Sequence, residues 1–299
     1  MNWQTDKIIK PILPWLIASR PKTLPAALAP VLTGSALAYY HHHFNFNIFI
    51  FICIAALFIQ IGTNFSNDLH DYLKGTDTDQ RLGPLRATQA GLLTPSQMKL
   101  GTALAFFVAL LAGIYLVFIG GWIIVIIGLT SFAAGIAYTA GPYPLGYHGW
   151  GDVFVFLYFG IIAVCGTFYL YTGGINSASI LTGSAMGGLS TAILIVNNLR
   201  DADTDIHTGK KTLAVRFGKN FVRAEYVFCI MIPFVVSALL YTNLGFPLSI
   251  FLTWFSLPMG INLIGSVYRD AGTDLNMTLG KTAGFLLIYS LLFVLGLIL

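Results

Sequence analysis

Nine apolar runs constrain this chain more than any other feature: roughly 24–40, 47–66, 100–118, 121–138, 152–170, 179–197, 224–241, 246–267 and 282–299. Each is about 17–22 residues, enough to cross a hydrocarbon core about 30 Å thick as a helix. Runs this long favour helices, because a membrane strand needs only about ten residues of alternating character. The predicted fold is an all-α membrane protein, a single domain over residues 1–299 with nine transmembrane helices. Only 9% of residues are charged and 56% are hydrophobic, against about 25% charged in an average soluble domain. The mean hydropathy is +0.77.

If the runs alternate direction, all 28 formal charges (16 Lys and Arg, 12 Asp and Glu) fall on one face. The cations occupy the N-terminal segment (Lys7, Lys10, Arg20, Lys22), the 67–99 loop, the 198–223 loop, and Arg269 with Lys281. The Lys/Arg bias makes that face cytoplasmic, with the N-terminus inside and the C-terminus outside. Carboxylates contribute little to orientation, so their presence on the same face points to chemistry there. Outer connections are short and uncharged, including His41-His42-His43, which reads as solvated filler. A net charge of +4 reflects loop placement and gives no reason to expect nucleic acid. Cys53, Cys165 and Cys229 lie far apart inside apolar runs, without disulfide or zinc spacing. The N-terminal stretch is broken by proline and carries no cleavable-signal pattern.

Two acidic clusters carry the chemistry. The first runs from Asn64 through Asn67, Asp68, Asp71, Lys74, Gly75 and Asp77 to Arg81 and Arg86. If the second helix continues into it, spacings of three and four put Asn64, Asp68 and Asp71 on one face. The second reads Asn197-Asn198-Leu-Arg200-Asp201-Ala-Asp203-Thr-Asp205, then Gly209-Lys210-Lys211-Thr212 to Arg216. Asn197, Asp201 and Asp205 step by four, and Asp203 points elsewhere. Ionisable groups at membrane depth usually mark function. Hard Mg²⁺ takes oxygen ligands and is often held by a few carboxylates together with substrate phosphates. Lys and Arg then neutralise the remaining phosphate charge. The pattern implies a Mg²⁺-bridged diphosphate at the cytoplasmic mouth of the bundle. Solvated loop charge is the plainer reading for any single Asp, but fits two such clusters poorly. Gly209-Lys210-Lys211-Thr212 fails the phosphate-loop pattern, because Thr204 and Lys211 occupy the first Gly and the Ser/Thr positions.

Asn67-Asp68-x-x-Asp71 together with Asp201-x3-Asp205 resembles the paired aspartate motifs of the UbiA superfamily of intramembrane aromatic prenyltransferases. Four stretches resemble its menaquinone-pathway branch: Ser19–Pro25, Lys74–Arg86, Tyr138–Tyr147 and Asn197–Arg216. The likeness covers the whole chain in order. It departs from the broad pattern at Gly75, where another Asp is frequent, with Asp77 beyond; the branch favours this form.

The resemblance implies nine helices around a lipid-open cavity, capped by two Asp-rich loops. It implies Mg²⁺ held by Asp68, Asp71, Asp201 and Asp205, and a polyprenyl diphosphate donor. Lys74, Arg81, Lys210, Lys211 and Arg216 become candidates for the pyrophosphate charge. Tyr138, Tyr143 and Tyr147 are candidates near the reacting carbon, where aromatic walls shield an allylic cation. The implied acceptor is 1,4-dihydroxy-2-naphthoate, alkylated with loss of CO2 to give demethylmenaquinone. Arg20, Lys22 and Arg200 are candidates for its carboxylate, and Asn197 or Asn198 for its hydroxyls. Asp152 reads chiefly as a helix N-terminal charge. 4-Hydroxybenzoate or another aromatic acceptor is the nearest alternative. A secondary transporter is the distant one, disfavoured because transporter sites lie near the midplane. The expected location is a bacterial plasma membrane.

Overall fold

The computed structural model describes residues 3–76 and 82–299, with side chains from residue 11 onward. The described residues form helices joined by short connections. They are α1 (Trp3–Ser19), α2 (Pro25–Tyr40), α3 (Phe46–Leu73), α4 (Pro95–Gly120) and α5 (Trp122–Ala137). They continue as α6 (Gly151–Thr172), α7 (Ser177–Thr208), the short α8 (Leu213–Phe217), α9 (Lys219–Leu244), α10 (Leu248–Arg269) and α11 (Gly272–Ile298).

Helix ends follow local capping chemistry. Asn45 starts α3 by accepting from the Asn47 and Ile48 N–H groups. Thr94 with Gln97 and Asn176 with Ser179 form reciprocal capping boxes at α4 and α7. Gly209 ends α7 at φ +77°, a left-handed conformation that a side chain resists.

Seven helices are long and apolar enough to cross a membrane: α3, α4, α6, α7, α9, α10 and α11. The other two expected spans, α2 and α5, have 16 residues each, about 24 Å at 1.5 Å per residue. The Asp-rich loops that the resemblance implies are helical over their carboxylates, in keeping with their spacings of three and four. Helix α3 extends to Leu73 and α7 to Thr208, so Asp68, Asp71, Asp201, Asp203 and Asp205 all sit on helix ends. No proline or glycine interrupts either cluster before Gly75 and Gly209, so the hydrogen-bond ladder simply continues. The expected proline-broken N-terminal stretch is a helix as well. Pro11 and Pro14 lie inside α1, each removing one N–H from the ladder without ending it. Lys281 lies within α11 rather than in an inner loop.

The main core joins α7, α9 and α11 with α2, and buries Met186, Leu189, Ile230, Phe285 and Tyr289. Helix α6 carries a π-helical turn at Leu157–Ile162. Its Gly160 lies so close to α7 that an added Cβ would stand 2.4 Å from the Gly187 Cα. Small residues permit this approach. On the other side, α3, α4, α5 and α6 stand around a cavity of about 700 Å³.

Candidate active site

The polar end of that cavity is built where α3 and α7 finish. On α3 the lining follows a helical stripe through Ala56, Ile59, Thr63, Asn67 and Asp71; on α7 it follows Ser190, Ile193, Asn197, Asp201 and Asp205. Positions three and four apart share a face, so the apolar wall runs directly into the Asn and Asp residues.

Asp71 is the centre of the first group and is 2% exposed. Its Oδ2 accepts from Arg86 Nη2 at 3.0 Å and its Oδ1 from the Tyr147 hydroxyl at 2.7 Å. Lys210 Nζ, from the segment after α7, stands 3.7 Å from Oδ1. Tyr147 ties the two clusters together. Its carbonyl accepts from the Lys211 backbone N–H at 2.8 Å, and the ammonium groups of Lys74 and Lys210 each lie 4.8 Å from its ring centre. Lys74 Nζ also donates to the Thr139 carbonyl at 2.6 Å. Lys74 is an exposed residue off the cavity lining; partial desolvation of its ammonium lowers its pKa from the ordinary value, Asp71 opposes that shift and Lys210 adds to it.

In the second group, Arg200 Nε and Nη2 both donate to Asp201, at 2.8 and 2.5 Å. The same guanidinium donates to Asn197 Oδ1 and Asn276 Oδ1, each at 2.8 Å. Asp205 is 8% exposed and lines the cavity with Asn198.

The site therefore gathers Asn64, Asn67, Asp71, Asn197, Asn198, Asp201, Asp205, Lys210, Arg20, Tyr138 and Tyr147 along one cavity. Arg20 adopts a left-handed backbone (φ 51°) where the chain turns from α1 towards α2. Other expected site residues lie elsewhere. Asp68 is off the lining: its Oδ2 and Oδ1 accept from the Ala87 and Thr88 N–H groups, both at 3.1 Å. It follows Asn67 by one residue and is rotated about 100° from it, so the shared face is Asn64, Asn67 and Asp71. Arg200 also lies outside the lining, with its donors spent on Asp201, Asn197 and Asn276. Lys22 is exposed on the 3₁₀ turn Pro21–Thr23, near Gly280 of α11. Tyr143 is 54% exposed and stacks on His148 at 3.7 Å. The Lys211 and Arg216 side chains are exposed, the latter against the turn at Gly149. Asp77 and Arg81 lie outside the described residues. Asp152 is 4% exposed, and neither carboxylate oxygen has a hydrogen-bond partner among the described residues.

The sequence reading did not single out Arg86, Thr76 or Thr139 as site residues. Thr76 Oγ1 lies 2.9 Å from the Tyr147 hydroxyl, and Thr139 donates to Asn67 Oδ1 at 2.9 Å. Arg86 closes the Lys74–Arg86 stretch of the resemblance, and its charge at the end of the first acidic cluster was the available signal.

No group of three or more His, Cys, Asp or Glu is gathered for a metal among the described residues. The carboxylates instead face one cavity from two helix ends, each beside a cation. Such an arrangement suits a bridging polyanion with a hard cation better than a metal cage built wholly of protein.

An all-helical bundle with paired acidic helix ends at one end of an apolar cavity defines a membrane-embedded enzyme class, and comparison with known proteins agrees. The UbiA prenyltransferase family matches residues 27–279, and the chain belongs to that family. It is 35% identical to a 1,4-dihydroxy-2-naphthoate octaprenyltransferase of Haemophilus influenzae, over 95% of both chains. It is 36% identical to the protein of that name in Escherichia coli, over 99% of this chain and 98% of the relative. Among solved structures, a UbiA homolog from Aeropyrum pernix K1 shares the fold with TM-score 0.72 and 11% identity, covering 92% of this chain and 98% of that one. A UbiA homolog from Archaeoglobus fulgidus bound to DMAPP and Mg²⁺ aligns with TM-score 0.64 and 13% identity, over 94% and 98% of the two chains.

Proposed function

We infer that this chain transfers a polyprenyl group from a polyprenyl diphosphate to 1,4-dihydroxy-2-naphthoate, releasing diphosphate and CO2 and giving demethylmenaquinol, the reduced form of demethylmenaquinone. The observation that carries the reading is the single cavity with Asp71, Lys210 and Tyr147 at one end and an apolar arm behind them. It accommodates a molecule with a charged head and a long hydrocarbon tail. Relatives at 35–36% identity over nearly the whole chain supply the acceptor.

Oxygen donors from two helix ends fit Mg²⁺: Asp71 with Asn67, and Asp201 and Asp205 with Asn197. Bound with the donor, Mg²⁺ would neutralise diphosphate charge and ease departure of the leaving group. Lys210, Lys74 and Arg86 add positive charge around the same head group, where charge grows as the C1–O bond breaks. Tyr147, held by Asp71, keeps the two lysines in place. The allylic cation left behind meets Tyr138, Phe132, Phe154 and Tyr158 on the cavity wall. Their π faces attract it, and their bulk excludes water. Arg20 is the cation on the lining outside the Asp71 group that can meet the acceptor carboxylate. The new C–C bond forms at the carboxylated ring carbon. CO2 then leaves, its bonding electrons return to the ring, and no base is needed to take a ring proton.

In this reading α2 and α5 complete nine membrane crossings. The N-terminus and the acidic ends of α3 and α7 are cytoplasmic, the C-terminus is outside, and the membrane is a bacterial plasma membrane. Transfer by purified protein in nanodiscs, with and without Mg²⁺, tests the reading when dihydroxynaphthoate and 4-hydroxybenzoate are offered separately. Mg²⁺-dependent formation of demethylmenaquinol, read as demethylmenaquinone after oxidation in air, is expected. Prenylation of hydroxybenzoate alone would overturn the acceptor, and no transfer to either would overturn the chemistry.

A further inference from the structure

Asn276, near the start of α11, bonds in two directions at once. Its Oδ1 accepts from Arg200 Nη1 at 2.8 Å, and its Nδ2 donates to the Leu82 carbonyl at 2.8 Å. These partners lie 76 and 194 residues away along the chain. Asn in a helix more commonly bonds nearby backbone, so two distant bonds mark a tie between segments. The amide cannot be turned round. A guanidinium only donates and a carbonyl only accepts, so exchanging the amide oxygen and nitrogen would break both bonds. The base of the tie is firm, because Leu275, Thr278 and Leu279 beside it are buried.

Each arm of Asn276 ends at one half of the head-group site. Arg200 is 2% exposed and donates from Nε and Nη2 to Asp201, with Nη2 also meeting Asn197. Holding Nη1 on Asn276 fixes the plane of this rigid fork, and with it the angle at which the fork meets Asp201. The other arm holds Leu82, which precedes Arg86 by four residues, a reach of at most about 14 Å. Arg86 bonds Asp71, and the Ala87 and Thr88 N–H groups bond Asp68. The connection therefore runs from Asp201 through Arg200 and Asn276 into the 82–88 strap, and along the strap to Asp71.

We propose that Asn276 is a positioning residue that couples the two halves of the diphosphate site, holding Arg200 and the 82–88 strap in one register. It is off the cavity wall and acts through Arg200 and Arg86. This rests on the prenyl-transfer reading above. Tyr147 joins the same two helix ends at the cavity, and Asn276 joins them from behind.

Three substitutions separate the arms. Asn276→Leu removes both. Asn276→Asp keeps an acceptor for Arg200 but sets an oxygen against the Leu82 carbonyl, which releases the strap alone. Asn276→Gln keeps acceptor and donor on a longer stem.

Two readouts in nanodiscs test the coupling. Hydrogen exchange followed by mass spectrometry should quicken at least about tenfold over 82–88 in Asn276→Leu and Asn276→Asp, with 279–298 of α11 unchanged. Calorimetric titration of a non-hydrolysable thio-analogue of a polyprenyl diphosphate, with Mg²⁺, gives the donor Kd. Arg86→Met should weaken binding about tenfold in otherwise wild-type protein. In Asn276→Leu or Asn276→Asp the same change should cost no more than about twofold, because the freed strap no longer presents Arg86. Asn276→Gln should recover part of the Arg86 effect. Lys219→Met, which breaks only the exposed pair with Asp203, is the control and should leave that effect whole.

A full Arg86 effect in Asn276→Asp, unchanged exchange over 82–88, or equally quickened exchange over 279–298 would overturn the coupling. Wild-type protein that binds no donor while the strap exchanges as expected would instead overturn the prenyl-transfer reading.

Discussion

The two acidic helix ends look alike in sequence and are held differently. On α3, partners from elsewhere in the chain surround Asp71: Arg86, Tyr147 and Lys210. On α7, Asp201 is held chiefly by its own neighbour Arg200, which also fixes Asn197 and reaches Asn276. The off-register carboxylates diverge further. Asp68 is 1% exposed and bonded to two backbone N–H groups, whereas the Asp203 side chain is 74% exposed and pairs with Lys219 at 2.7 Å. The difference shows that a carboxylate's role here is set by its angle on the helix and not by membership of an acidic run. Residues in phase with the cavity stripe face the cavity, and residues out of phase hold a loop or face solvent.

Substitutions at five positions can break or sharpen that comparison. The largest expected effect is at the in-phase pair. Asp71→Asn and Asp201→Asn should each lower kcat by about 10²–10³-fold, the range for removing one charge-stabilising group, with unchanged folding by size exclusion. A much smaller loss at either would break the symmetry of the two helix ends. Next, Arg86→Met should raise the donor KM about tenfold, equivalent to about 1.4 kcal/mol, with partial rescue by Arg86→Lys; assays over donor concentration check it.

Lys74 gives the pH dependence. Its pKa is lowered by partial desolvation, so it loses its proton at lower pH than a free lysine. Donor binding should weaken as pH rises through that value. Lys74→Arg stays charged and should flatten this alkaline limb; an identical profile would remove Lys74 from the head-group site. The smallest effect belongs to Asp203→Asn. The exposed Asp203–Lys219 pair is worth at most about 1 kcal/mol, so thermal stability and transfer rate should barely move.

Much of this arrangement is legible in the chain before any coordinates. Long apolar runs dictate helices, and the Asn and Asp residues at their ends dictate a polar mouth. Two things are not legible. One is the phase of α3 at its acidic end: the face that meets the cavity carries Asn64, Asn67 and Asp71, and not the trio Asn64, Asp68 and Asp71. Continuing the stripe from Ala56 and Thr63 would have found it. The other is tertiary partnership: Arg200 reads as a free cation until Asn276, 76 residues away, meets it. Tyr143 and Tyr147 are likewise equivalent in sequence. The turn through Gly141 (φ +81°) leaves Tyr143 in solvent, while Tyr147 lies on the cavity wall.

The most direct measurement is calorimetric titration of a non-hydrolysable thio-analogue of the donor, with and without Mg²⁺, into wild-type, Asp71→Asn, Asp201→Asn and Asp68→Asn protein. Mg²⁺-dependent binding should disappear in the Asp71 and Asp201 variants. It should survive within about threefold in Asp68→Asn, whose cost should appear as a loss of about 1–3 kcal/mol in stability from an unsatisfied buried group. Binding abolished by Asp68→Asn in stable protein, or retained by either of the other two, would contradict a head-group site defined by the cavity-facing phase of α3 and α7.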